Sequence, residues 1–117
     1  MNLEEYRDYC LSFNGVTEGF PFDSQTLVFK VGGKMFALCD VDLFDGINLK
    51  CDPDRALELR ESHQGIRGGY HMNKRHWNTV ETNSDVDDEL IRELTKHSYE
   101  LIYASLPKKI RDELQAG

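Results

Sequence analysis

Residues 27–39, LVFKVGGKMFALC, carry the strongest fold signal in the chain. Two alternating apolar runs flank Gly32-Gly33, and a two-residue type I′ turn needs positive φ at both central positions, which glycine adopts at no steric cost. The stretch therefore predicts a β-hairpin whose register is set by its turn. The predicted pairs on the core side are Val31 with Lys34, Phe29 with Phe36, and Leu27 with Leu38.

Helix and strand signals alternate on either side of this hairpin. Asn2 and Glu5 have the spacing of a helix cap, before an apolar repeat that ends near Asn14-Gly15, and Asp52-Pro53 is typical of a second helix start. The other predicted elements are an extended segment over 19–22, strands over 46–51 and 77–81, and helices over 53–62, 86–105 and 108–114. Because tightly linked consecutive strands run antiparallel, this order predicts an α+β two-layer domain over residues 1–117, with helices packed on one side of an antiparallel β-meander sheet.

The periodicity of two helices predicts which of their side chains face the core. In the helix over 53–62 we expect Leu57 to point inward and Arg60 to point outward. In the long helix the expected core stripe is Leu90, Leu94, His97, Leu101 and Ala104, with Ile91, Ser98 and Ile102 beside it. A histidine on such a stripe is expected to be hydrogen-bonded and half-buried rather than catalytic.

Length and composition limit the class of protein. The chain has 117 residues, of which 39% are hydrophobic and 10% aromatic, which suits one folded domain and is too apolar for a disordered chain. No apolar run reaches the roughly 18 residues of a membrane helix, and the first residues lack the basic and apolar segments of an export signal. The three cysteines are odd in number and lack CxxC spacing, which favours reduced thiols. We therefore expect a cytoplasmic protein with no membrane partner.

Acidic and basic residues are unevenly distributed along the chain. It has 21 Asp and Glu against 14 Lys and Arg, a formal charge of −7, so nucleic acid would be repelled overall and could bind only at a local basic patch. The segment 63–80 contains no acidic residue. Its basic residues and histidines are His63, Arg67, His71, Lys74, Arg75 and His76. This acid-free segment is either such a patch or a solvated loop.

The densest group of chemically versatile residues lies at 68–78, GGYHMNKRHWN. Arg and Lys contact phosphates or carboxylates, and Trp77 can stack on a base. His71 and His76 are five residues apart, which does not match the helical His-x-x-x-His of zinc proteases. The carboxylates Asp40, Asp42 and Asp45 lack EF-hand spacing, which favours a solvated turn. No P-loop, dinucleotide glycine pattern or nucleophile elbow is present in the sequence. We expect no catalytic activity, no metal and no cofactor.

Residues 68–80 resemble the hallmark segment of the MmcQ/YjbR family. The resemblance extends to FPFD (20–23), FKVGGKMFAL (29–38), NLKCDP (48–53) and SLPKK (105–109), and so covers essentially the whole chain. It implies a CyaY-like (frataxin-like) α+β fold and DNA binding through a double wing of two hairpin-like projections. Frataxins bind iron on an acidic ridge, but the first helix here offers only Glu4, Glu5 and Asp8 with Arg7 among them, so we expect no tight Fe(II) site.

The resulting hypothesis is weak, non-specific DNA binding through a basic loop and hairpin. The candidate residues, chosen by position and charge, are Lys30, Lys34, Arg67, His71, Lys74, Arg75, His76 and Trp77. Phosphate contacts from Arg67, Lys74 and Arg75 would give a log–log salt slope of roughly −2.7 on duplex DNA. The alternative is a small protein-binding or ligand-binding domain without a nucleic-acid partner. The sequence leaves the oligomeric state open.

Overall fold

The structure, a computed structural model, describes residues 1–69 and 72–116. Its helices are α1 (Leu3–Leu11), α2 (Pro53–Ser62), α3 (Asp88–Ser105) and α4 (Lys108–Ala116). Its strands are β1 (Val16–Gly19), β2 (Thr26–Val31), β3 (Lys34–Asp40), β4 (Gly46–Lys50), β5 (Ile66–Gly68) and β6 (Trp77–Glu81). Within these residues, no helix has the length and hydropathy required to cross a membrane.

The strands form one antiparallel sheet in the order β1-β2-β3-β4-β6-β5, with the helices packed on one side. Helix α3 lies against β2, β3 and β4, and α1 lies against β1. The core between the two layers contains fully buried Tyr6 from α1, Phe29 and Ile47 from the sheet, and Ile91 from α3. The predicted α+β two-layer architecture is therefore confirmed. The sheet surface that points away from the helices is called the open face below.

The β2–β3 hairpin has the predicted turn but only part of the predicted register. Gly32 and Gly33 have φ of 58° and 82°, as a type I′ turn requires, and Val31 pairs with Lys34. Further from the turn the register shifts by one residue at a β-bulge. The predicted pairs of Phe29 with Phe36 and Leu27 with Leu38 are wrong, because Phe29 pairs with Ala37 and Leu27 with Cys39.

Helix α3 supplies hydrogen-bond partners to the backbone at this bulge. A bulge leaves backbone groups without a partner in the ladder. The buried hydroxyl of Ser98 donates to the carbonyl oxygen of Phe36 at 2.6 Å and accepts from the backbone N–H of Lys50 at 2.9 Å. One side chain on the helix therefore bridges two strands of the sheet. Alternation of apolar residues within the hairpin contains no information about this distant residue, which is why the register prediction failed.

Two short edge strands and two helix faces differ from the sequence prediction. Strands β1 and β5 have four and three residues, too few for an alternating pattern, and the predicted extended segment over 19–22 lies mostly in the loop after β1. Helix α2 approaches β5 and buries Ala56, which leaves Leu57, about 100° further round the helix, 56% exposed. The buried side chains of α3 are Ile91, Leu94, Thr95, Ser98 and Ile102. Ala104, predicted to face the core, is exposed, because it lies about 200° around the helix from buried Ile102.

Candidate nucleic-acid interface

The strand register aligns the side chains of the open face in rows across the sheet. In one row, β2 contributes Val28, β3 contributes Leu38, β4 contributes Asn48, β6 contributes Thr79 and β5 contributes Arg67, each paired with its neighbour. The row is apolar at the β2 end and polar at the β5 end. The hydroxyl of Thr79 donates to the side-chain oxygen of Asn48 at 2.5 Å, which ties β4 to β6 on this face.

Charged residues of the sheet and its connecting loops separate along the strand direction. The β2–β3 turn, the end of β4 and the loop between β5 and β6 all lie at the same end of the sheet, since Lys30 pairs with Met35 and Lys50 with Trp77. The basic residues at this end are Lys30, Lys34, Lys50, Lys74 and Arg75, and together they are called the basic end. The acidic residues toward the opposite end are Asp40, Asp45 and Glu81. The antiparallel register therefore creates a local basic edge in a chain whose net charge is −7.

Helix α4 lies beside the same end of the sheet. A side chain added at Gly32 would come within 2.6 Å of Leu106 and 3.2 Å of Ile110, so the start of α4 packs directly against the hairpin turn. Two exposed lysines, Lys108 and Lys109, begin this helix. Lys108 also lies 3.3 Å from Asp112 one turn further along the helix, an exposed pair that solvent screens.

The loop between β5 and β6 is held in place by Arg60 of α2, which the sequence predicted to face solvent. The guanidinium of Arg60 donates to the side-chain oxygen of Asn78 at 2.7 Å, to the carbonyl oxygen of Trp77 at 3.3 Å, and to the carbonyl oxygen of Lys74. Asn78 is 2% exposed and also donates to the carbonyl oxygen of Ala56. The prediction for Arg60 is therefore wrong, because carbonyl oxygens and a buried amide in the loop and β6 supply acceptors that helix periodicity does not reveal.

Glycine permits the tight path of this loop. A side chain at Gly69 would come within 2.9 Å of the Trp77 Cβ and 3.1 Å of the Met72 Cβ. The backbone N–H of Gly69 donates to the carbonyl oxygen of Trp77 at 2.8 Å, and that of Met72 donates to the carbonyl oxygen of Gly69 at 3.3 Å. The two ends of the loop are thus drawn together, and Lys74 and Arg75 are exposed within it.

The predicted basic residues of the acid-free segment have different environments. Arg67 forms an ion pair with Glu81 at 2.6 Å, and its side chain is 54% exposed. The Nζ of Lys74 donates to the carbonyl oxygen of Gly69 at 3.3 Å, and its methylene chain lies over Gly68. Arg75 is exposed, with its backbone N–H bound to the side chain of Asn73. Lys74 and Arg75 are therefore the more available cations, while Arg67 is partly neutralised.

The remaining predicted site residues lie on both sheet and loop. Trp77 is half-buried on the open face opposite Lys50 and does not belong to the core under the helices. His76 is half-buried, and its carbonyl oxygen accepts from the backbone N–H of Cys51 at 2.8 Å. His71 lies outside the described residues. The structure thus brings seven of the eight predicted residues to one face or end of the sheet: Lys30, Lys34, Arg67, Lys74, Arg75, His76 and Trp77.

Sequence reasoning missed Lys50 as a member of the basic end. Lys50 precedes the cap of α2 by two positions and lies in an apolar strand pattern outside the acid-free segment, so composition does not single it out. The signal available was its alternation with Leu49, which places it on the face opposite the core. Its alignment with Trp77 depends on a pairing between residues 27 positions apart, and no local pattern reveals that.

A groove of about 670 Å³ lies on the open face, below the basic end. Its described lining includes strand residues Met35, Leu38, Asn48 and Thr79, the loop residues Phe22 and Met72, and the charged residues Asp40, Asp45 and Arg67. This volume is within the range of about 300–1,000 Å³ typical of small-ligand sites. The groove therefore combines apolar side chains from β3 and the loops with polar and charged groups from neighbouring strands.

The described residues contain little that suggests nucleophilic or metal chemistry. Burial raises the pKa of the Cys10 and Cys39 thiols to about 12 and that of Cys51 to about 11, so all three are protonated at neutral pH. Among the described residues, no group of three His, Cys, Asp or Glu side chains is close enough to hold a metal ion. His97 is half-buried, and its Nε2 accepts from the backbone N–H of Asp52 at 3.2 Å, as predicted for a structural histidine.

Comparison with known proteins places the chain in a family. The YjbR family model matches residues 11–101. The chain is 30% identical to the uncharacterised protein YjbR of Escherichia coli strain K12 over 112 residues, 95% of each protein, and 35% identical to YbdF of E. coli O157:H7 over 99 residues, 84% of this chain and 81% of that protein. The crystal structure of Deinococcus radiodurans DR2400, a DUF419 domain, superposes with a TM-score of 0.92 and 41% identity, covering 97% of this chain and 88% of that one. A Pseudomonas syringae protein, PsR293, superposes with a TM-score of 0.73 and 27% identity over 87% of this chain and 99% of that one. These matches, spread over nearly the whole sequence, show that the chain belongs to the YjbR family.

Proposed function

We propose that the chain is a nucleic-acid-binding protein, not an enzyme, and that its basic end contacts phosphates weakly and without sequence preference. The observation that carries the proposal is the separation of charge between the two ends of the sheet. Lys30, Lys34 and Lys50 lie at the end of the sheet where the exposed loop residues Lys74 and Arg75 also lie. The proposal takes the two hairpin ends, with β4 between them, as the double wing that the family resemblance implies.

The net charge of −7 restricts binding to a local cluster of basic residues and keeps the affinity low. At physiological ionic strength charges more than about 8 Å away are largely screened, so a local cluster can act against an unfavourable total. Asp52, the acid nearest to Lys50 in sequence, uses its carboxylate to cap α2, where it accepts from the backbone N–H of Arg55. The expected affinity at physiological salt is that of non-specific complexes, on the order of 10⁻⁴ to 10⁻⁶ M.

Fluorescence anisotropy with a labelled duplex, at salt concentrations rising from about 50 mM, tests the proposal. The double variant Lys74→Ala/Arg75→Ala removes two exposed loop cations and should flatten the log–log salt slope by about 1.8. The matched control is Arg92→Ala/Lys96→Ala, which makes the same change in net charge at exposed positions of α3, on the other side of the molecule.

Three results would overturn the proposal. They are no binding of either duplex or single-stranded DNA by the parent chain at about 50 mM salt, equal slopes for parent and loop variant, or equal losses in loop and control variants. The last result would show that only total charge matters. A chain that binds no nucleic acid would leave the groove of about 670 Å³ as the basis for the alternative, a domain that binds a small ligand or a protein segment.

A further inference from the structure

The groove on the open face differs in chemistry from the basic end beside it. Leu38 and Met35 belong to its strand floor, and Phe22 and Met72 lie on loops at its sides. Phe22 is 64% exposed, an unusual degree for a phenylalanine, and its loop is held by Asp23, which accepts from two backbone N–H groups. A flat apolar ligand could therefore contact an aromatic ring and a thioether without displacing core residues.

The polar groups of the groove disfavour phosphate. Asp40 and Asp45 contribute two carboxylates, whereas the guanidinium of Arg67 is paired with Glu81 at 2.6 Å. The groove is thus net acidic although the edge next to it is basic. The side-chain oxygen of Asn48 accepts from Thr79, which leaves the Asn48 amide group to donate to a ligand. Asp40 Oδ1 already accepts from the backbone N–H groups of Asp42 and Leu43, so Asp45 and the second oxygen of Asp40 are the acceptors for amino groups.

We infer that this groove binds unpaired nucleobases, so that the chain binds single-stranded nucleic acid in preference to duplex. The inference rests on the proposed function, because phosphates at the basic end hold the strand while its neutral bases enter the acidic groove. Open sheet faces with exposed aromatic side chains are a recurrent platform for stacking unpaired bases. In a duplex the bases are stacked on each other and paired, so their faces cannot reach Phe22 or Met72.

Three oligonucleotides of equal length, about 12 nucleotides, separate base binding from phosphate binding in an anisotropy assay. They are a mixed-sequence single strand, its duplex, and the same strand with abasic sites throughout. Phosphate contacts alone favour the duplex, since the salt slope per contact is about 0.9 for duplex and about 0.7 for single strands. We expect the intact strand to bind more tightly than both the duplex and the abasic strand, by about fivefold or more.

Variants of the full chain locate the binding site. Phe22→Ala and, as a second variant, Met72→Ala should each weaken binding to the intact strand while leaving abasic binding unchanged. The control is Leu43→Ala, which truncates another exposed apolar side chain that does not line the groove. Circular dichroism checks that each variant is folded.

The outcomes distinguish this inference from the proposed function. Equal affinity for intact and abasic strands, or equal losses in Phe22→Ala and Leu43→Ala, overturns the inference while the phosphate-binding proposal stands. Failure to bind any of the three oligonucleotides at about 50 mM salt overturns both.

Discussion

Substitution of Arg60 by methionine tests whether α2 holds the loop that carries Lys74 and Arg75. Methionine keeps the apolar stem and the helix propensity but removes the hydrogen bonds to Asn78, Trp77 and Lys74. A buried acceptor left without a partner costs about 1–3 kcal/mol, and this applies to the side-chain oxygen of Asn78. Water can replace the Arg60 donors at the carbonyl oxygens of Trp77 and Lys74, so the loss of these two hydrogen bonds adds only about 1 kcal/mol to the cost. The expected loss in free energy of unfolding is therefore about 3 kcal/mol.

Urea denaturation measures this loss. With an m-value of about 1.5 kcal/mol/M, the midpoint should fall by about 2 M. Arg92→Met is the control, because Arg92 is exposed on α3 and its loss should change stability by no more than about 0.5 kcal/mol. Arg60→Lys keeps the charge without the planar fork and should recover only part of the loss. A midpoint for Arg60→Met that matches the Arg92 control would refute the assignment of Arg60 as the residue that fixes the loop.

Three further predictions concern stability and reactivity. Gly33→Ala forces alanine into a positive φ and should lower the free energy of unfolding by about 1 kcal/mol. Gly32→Ala has the same cost and also brings the new methyl group within 2.6 Å of Leu106, so the loss should be about 3 kcal/mol or more. Equal urea midpoints for the two variants would contradict the packing of α4 on the turn. Burial, with a smaller effect of a nearby arginine, lowers the pKa of His97, whose Nε2 accepts from Asp52. The unfolded chain then binds this proton more readily, so His97 contributes its full stability above the unfolded pKa of about 6.5 and loses it as the pH falls. His97→Gln should give a shallower decline in unfolding free energy between pH 7.5 and 5.5, and a decline equal to that of the parent would argue against this role. The thiols of Cys10, Cys39 and Cys51 are buried, so iodoacetamide at pH 8 should modify them only after urea unfolds the chain. Rapid labelling of the folded protein would contradict their burial.

Local chemistry in the sequence determined where most elements begin and turn. Two adjacent glycines predict a type I′ turn because the requirement is a positive φ at each of two residues, and both have it. The helix caps are equally local, since Asn2 accepts from the N–H of Glu5 and Asp52 from that of Arg55, three residues away in each case. The acid-free segment and its exposed cations were also readable, because they depend on composition alone.

Tertiary structure decided the features that depend on residues distant in sequence. The register beyond the hairpin turn depends on a bulge that Ser98 bridges from α3, 62 residues from Phe36. The inward orientation of Arg60 depends on acceptors in β6 and its preceding loop, and the weakening of Arg67 as a phosphate ligand depends on Glu81 from the neighbouring strand. Hydrogen-bond donors and charges act over a few ångströms of space whatever their separation along the chain. A linear pattern therefore identifies which residues can bind, and the paired strands determine which of them are aligned, neutralised or left free to do so.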